Sequence, residues 1–181
     1  ARPATIAHSP VKDLLDQDGT ALLATEIYSL RIDPKRGGAI TSLVEKDGSR
    51  QLCPRDGEFL FNECRGYFID QKRWRSSTET PATIEIIESG PIRAVVRVNG
   101  EVGGCPSRTL ITLVSGERGI AFDVNFHFAE EKWVGDPWDI QPKDRMTERR
   151  RSSNDGRWKL QALFPTRFEQ TTLAKNGAFD V

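Results

Sequence analysis

The stretch Gly119-Ile120-Ala121-Phe122-Asp123-Val124-Asn125-Phe126-His127-Phe128 alternates along its length. Ile120, Phe122, Val124, Phe126 and Phe128 fall on one side, and Asp123, Asn125 and His127 fall on the other. A period of two belongs to a strand with one face in a core and one in water. Ile92-Arg93-Ala94-Val95-Val96-Arg97-Val98 has the same pattern, its even positions apolar and Arg93 and Arg97 turned away. Working outward, strands are predicted over 22–32, 39–45, 59–62, 67–70, 83–88, 108–114 and 159–164. The turns between them are Asp33-Pro34-Lys35-Arg36-Gly37-Gly38, Lys46-Asp47-Gly48-Ser49, Ser89-Gly90-Pro91, Asn99-Gly100 and Ser115-Gly116-Glu117-Arg118-Gly119. Nine closely spaced strands, one helical turn over 11–16 and no amphipathic helix of ten residues predict an all-β fold, an antiparallel β-sandwich. The 181 residues suit a single domain with a core of its own, with 1–20 as a lead-in.

Composition removes several functions. Lys and Arg number 26 and Asp and Glu number 26, so the chain lacks the basic surplus that binding to phosphate backbones needs, and no nucleic-acid partner is expected. No apolar run approaches the ~20 residues of a membrane-spanning helix, so no membrane partner is expected. Residues 1–10 do not have the charged-then-apolar build of a secretory leader, and the compartment is not readable. Cys53, Cys64 and Cys105 show no C-x-x-C spacing and read as small buried side chains. His8 and His127 are the only histidines, too few for a metal constellation, and His127 lies on the polar side of its strand. No phosphate-binding glycine loop and no G-x-S-x-G elbow occurs, and Gly100-Glu101-Val102-Gly103-Gly104 is a hairpin cluster.

Two stretches break the alternation. Residues 64–80 combine Arg65, Lys72, Arg73 and Arg75 with Tyr67 and Trp74, and residues 129–157 are charged, interrupted by proline and nearly free of aliphatic side chains. The second is expected to be a long surface loop carrying Trp133 and Trp138. Asp136 and Asp139 flank Trp138, a setting in which a sugar could stack on the ring, although an acidic loop solvating itself has the same composition. Arg149-Arg150-Arg151 with Lys143 and Arg145 is offset by Asp144, Glu148 and Asp155, and reads as a solvated loop.

Six strings in order resemble the C-terminal β-domain of glycoside hydrolase family 38, the retaining alpha-mannosidases. They begin with Ile32-Asp33-Pro34-Lys35-Arg36-Gly37-Gly38-Ala39-Ile40-Thr41-Ser42-Leu43, Phe59-Leu60-Phe61-Asn62-Glu63-Cys64-Arg65-Gly66-Tyr67-Phe68 and Arg73-Trp74-Arg75-Ser76-Ser77. Then come Glu88-Ser89-Gly90-Pro91-Ile92-Arg93-Ala94-Val95-Val96, Ile120-Ala121-Phe122-Asp123-Val124 and Trp158-Lys159-Leu160-Gln161-Ala162-Leu163-Phe164-Pro165. The resemblance runs from about Leu23 to Val181 and implies a supersandwich of the galactose-mutarotase-like kind.

It also implies a larger glycoside hydrolase chain. Its zinc, its Asp nucleophile and its acid/base carboxylate would sit in an N-terminal catalytic domain, a partner this segment packs against, and mannose-containing glycans would be the substrate. No catalytic or metal residue carries over to this segment. Phe59 aligns with a family tyrosine near the substrate and lacks its hydroxyl. Phe59, Trp74, Trp133 and Trp138 are the expected substrate-binding residues, and Phe68, Trp74 and Trp158 the expected contacts with the catalytic domain. The alternative is a freestanding carbohydrate-binding module using the Trp rings as platforms. A mutarotase-like epimerase would need a catalytic Glu with paired histidines, which two histidines so far apart do not suggest.

Overall fold

A computed structural model describes residues 16–55, 57–135 and 159–168. These residues form eleven strands in three antiparallel sheets. The first sheet orders β1 (Ala21–Ala24), β2 (Tyr28–Asp33), β3 (Ala39–Glu45) and β4 (Arg50–Gln51) side by side. The second runs β10-β9-β8-β7, with β7 at Thr83–Ser89, β8 at Arg93–Val102, β9 at Cys105–Val114 and β10 at Ile120–Phe126. In the third, β5 (Glu63–Phe68) lies between β11 (Gln161–Leu163) and β6 (Arg73–Ser76). The expected all-β antiparallel sandwich is what forms.

The second sheet is long enough to serve both of the others. Near one end, Ala94, Val96 and Val98 of β8 and Ile111 and Leu113 of β9 meet Leu23, Leu30, Ile32 and Leu43 of the first sheet in a cluster of fifteen buried residues. Toward the other end, Val102 and Cys105 meet Cys64 and Phe68 of the third sheet, with Val124, Phe126, Val134, Leu160 and Ala162 packed around them. Thus β10 divides its apolar face, Ile120 and Phe122 going to the first core and Val124 and Phe126 to the second. Phe61, Phe122 and Phe164 close the space between, their ring centroids 4.9 to 5.9 Å apart.

Where prediction and structure differ, local hydrogen bonding explains it. The predicted strand 22–32 is two strands, because the Thr25 hydroxyl accepts from the amides of Ile27 (3.1 Å) and Tyr28 (3.0 Å) and turns the chain. The predicted strand 59–62 does not form: Asn62 takes a left-handed conformation (φ 64°) and only Phe61 bridges, to Ile40. Strand β6 and the short β4 went unpredicted. Phe68 is not an interface residue but fully buried, closed over by Gly103. Trp158, the helical turn at 11–16 and most of the loop 129–157 lie outside the described residues. The described start of that loop is drawn onto β5, where Val134 bridges Phe68.

At one end, an ionic clamp joins the first and second sheets. Both Glu26 carboxylate oxygens accept from Ser115 Oγ, and one also accepts from the Gly116 amide. Buried Glu45 accepts from Arg50 (2.8 Å) and from Arg118 (3.1 Å), whose carbonyl accepts from the Tyr28 hydroxyl (3.0 Å). The Glu26 carboxyl is held below its ordinary range by its own backbone amide, with Ser115 and Gly116 adding to this.

Two predictions follow from this packing. A Cβ on Gly103 (φ 61°) would come 2.5 to 2.7 Å from the Phe68 ring, whereas one on Gly104 (φ 86°) would meet nothing within 4 Å. Urea unfolding is therefore expected to show Gly103→Ala losing about 3 kcal/mol and Gly104→Ala only about 1 kcal/mol, the cost of the left-handed backbone alone. A carboxyl with a depressed folded-state pKa stabilises above its unfolded pKa and ceases to as pH falls through the folded value. Glu26→Gln should thus be less stable than the natural sequence at pH 7, with the gap narrowing from about pH 5 to pH 3; a constant gap would contradict the clamp.

Candidate functional site

The outer face of the third sheet gathers most of the expected site residues that are described. Alternation along β5 turns Cys64, Gly66 and Phe68 inward and Glu63, Arg65 and Tyr67 outward. In the β5–β6 register Tyr67 lies opposite Trp74 and Arg65 opposite Ser76, so these four share the outer side. Gln161 of β11, opposite Arg65, joins them. The inner side is closely packed: a Cβ on Gly66 would come 2.9 Å from Val134 Cγ1 and 3.2 Å from Leu160 Cα.

Arg65 organises this face. Its guanidinium carbon lies 4.5 Å from the Phe59 ring centroid and 4.3 Å from that of Trp74, stacking the cation between two rings brought from distant positions. Tyr67 meets Trp74 edge-on, with centroids 5.9 Å apart and an interplanar angle of 81°. Glu63, buried one step along β5, holds the loop that presents Phe59: its Oε2 accepts from the Leu60 amide (2.9 Å) and its Oε1 from the Ser76 hydroxyl (2.7 Å). Beside this loop, Arg36, Gly57, Glu58, Leu60, Glu63 and Thr78 bound an open groove of about 340 Å³, at the small end for a ligand site.

Of the four expected substrate-binding residues, Phe59 and Trp74 come together, each with one ring face against Arg65. Trp133 is 53% exposed, and its carbonyl accepts from the Ile69 amide (2.9 Å) while the Gly135 amide donates to Tyr67 (3.0 Å). Because Val134 pairs with Phe68 on the inner side, alternation puts Trp133 on the side of Tyr67. Trp138, Asp136 and Asp139 lie outside the described residues. The central role of Arg65 escaped sequence reading, although pairing 63–68 with 73–76 as a hairpin would have set Tyr67 against Trp74.

Nucleophilic and metal chemistry find little to use here. Burial, with the charge of Glu63 adding to it, pushes the Cys64 thiol up to about 11, so it remains a thiol at neutral pH. Burial also raises the thiols of Cys53 and Cys105. Among the described residues no three His, Cys, Asp or Glu side chains group as a metal site would require. Among those residues the implied zinc has no fitting ligand set.

No family model matches the chain. It is 28% identical over 131 residues to alpha-mannosidase G of Dictyostelium discoideum, an alignment covering 64% of this chain and 12% of that protein. The chain thus spans about an eighth of the relative's length. A solved alpha-mannosidase from Enterococcus faecalis V583 superposes with a TM-score of 0.47 at 11% identity, over 64% of this chain and 17% of that one.

The Glu63 anchor gives a test of how the Phe59 loop is held. Glu63→Leu leaves the buried Leu60 amide without an acceptor and should cost about 2 to 3 kcal/mol in urea unfolding. Glu63→Gln keeps an acceptor oxygen and should cost about 1 kcal/mol. Equal losses would mean that the hydrogen bonds do not hold the loop.

Proposed function

We propose that this chain is the C-terminal β-domain of a retaining, zinc-dependent alpha-mannosidase of the family 38 kind, a supersandwich of the galactose-mutarotase-like class. Its partner is an N-terminal catalytic domain of the same protein, which supplies the zinc and both catalytic carboxylates and hydrolyses terminal alpha-mannosides. The observation that carries this reading is the similarity to an alpha-mannosidase over most of this chain and a small fraction of that enzyme. The site agrees with it. Aromatic rings gathered on one face of an all-β sheet are suited to bordering a sugar pocket.

In this division of labour the chain's own residues position and shield. Phe59, fixed by Arg65 and by the Glu63 hold on its loop, presents an apolar rim, and Trp133 offers a ring on which a pyranose can stack. The exposure of Trp133 also favours the second reading, a freestanding carbohydrate-binding module.

One pair of measurements separates these readings. The chain alone, with or without added zinc, should not hydrolyse an aryl alpha-mannoside, while the full parent protein should. In the parent, Trp133→Ala should lower kcat/KM about tenfold, equivalent to ~1.4 kcal/mol at the transition state. Turnover by the chain alone would overturn the proposal. Calorimetric binding of manno-oligosaccharides by the chain, with a parent protein inactive on mannosides, would establish the binding module.

A further inference from the structure

The guanidinium of Arg65 is fixed in orientation but not claimed. Its carbon lies over the Phe59 ring at 4.5 Å and over the Trp74 ring at 4.3 Å, contacts that use the cation's π-face and none of its N–H donors. Among the described residues none of these donors meets a hydrogen-bond acceptor. Glu63, two residues away on the same side of β5, gives its oxygens to the Leu60 amide and the Ser76 hydroxyl instead. Arg75, next to Trp74 on β6 and opposite Gly66, shows the contrasting arrangement, being engaged by Glu79 (2.6 Å) and Gln71 (2.6 Å).

A stacked arginine is the usual means of presenting a planar fork of donors with little loss of rotamer freedom on binding. Such a fork matches a carboxylate, which accepts two parallel N–H bonds in the guanidinium plane. At the adjoining β5–β6 turn Lys72 is exposed beside Asp70, while Arg73, opposite inward-facing Phe68, belongs to the other side of the sheet. Trp133, 53% exposed, shares the side of Tyr67 and offers a ring to a pyranose.

We propose that Arg65 anchors a carboxylate-binding subsite on the outer face of the third sheet, and that the carboxylate belongs to an acidic sugar. That the carrier is a sugar rests on reading the chain as part of a glycosidase, whereas the carboxylate itself rests on Arg65 alone. The subsite is not catalytic: it holds a charged residue of a glycan beside the pocket that the domain borders.

The test follows the arginine side-chain N–H resonances of the chain while it is titrated with glucuronate, methyl glucoside or a triglutamate peptide. Glucuronate should shift the Arg65 signal saturably, with a Kd of about 1 mM, and methyl glucoside should not. Followed through the indole N–H resonance of Trp74, which every variant keeps, Arg65→Gln should weaken binding on the order of tenfold, and Arg65→Lys, which keeps the charge but loses the fork, nearly as much. Arg73→Gln should leave it within about twofold, and a thermal melt of each variant controls for folding. Equal response to methyl glucoside, or undiminished binding by Arg65→Gln, would overturn the proposal. Triglutamate binding with no response to glucuronate would overturn the sugar in favour of an acidic protein partner. Mannoside turnover by the parent protein is measured independently, so failure here and failure of the glycosidase reading are distinguishable.

Discussion

Two consecutive glycines, Gly37 and Gly38, set how closely the three sheets approach one another. A Cβ on Gly37 (φ 64°) would come 1.9 Å from the Ser77 carbonyl oxygen, at the end of the third sheet, and one on Gly38 (φ 75°) would come 2.1 Å from Val98 Cγ1 in the second. No side chain fits either gap, and both backbone conformations favour glycine. Around this joint the Ile40 amide donates to Phe61 (2.8 Å), the Asn62 amide to Leu163 (2.8 Å), and the Cys64 amide to Ser77 Oγ (3.0 Å). The joint fixes the start of β3, the start of β5 and the entry of β11 together.

That constraint governs the candidate site because the third sheet has little core of its own. Four fully buried side chains lie beneath it, against fifteen between the first and second sheets. Area burial alone would hold it weakly, at ~2 kcal/mol for each large side chain. The specific contacts therefore matter more there: Phe68 under Gly103, Glu63 on Leu60 and Ser76, and the capping box in which Ser76 and Glu79 close the turn 77–79. A loop that would otherwise be free is thereby held with Phe59 against Arg65.

The sandwich was legible because its largest sheet is written in period two. The strands predicted at 83–88, 92–98, 108–114 and from 119 all appear, since each has one face in a core. The third sheet was harder to read for a physical reason. Its outer side carries Arg65, Tyr67 and Trp74, and Gly66 sits on its inner side where Val134 and Leu160 need the room, so polar and apolar residues do not alternate. Phe59, Trp74 and Trp133 could be singled out as aromatic residues amid charge, but their relation could not. It depends on the register that sets Tyr67 opposite Trp74 and on a loop fastened by Glu63, both of them long-range contacts.

The central claim is that Phe59, Arg65 and Trp74 form one ordered stack on the candidate functional face. The most direct measurement is the Arg65 Nε–Hε resonance of the unliganded chain, compared with that of Trp74→Leu. Ring currents from two stacked aromatic side chains should move the Arg65 signal well upfield of the other arginines, and Trp74→Leu should return it most of the way. A signal already at the position of a solvated arginine, and unmoved by the substitution, would contradict the account.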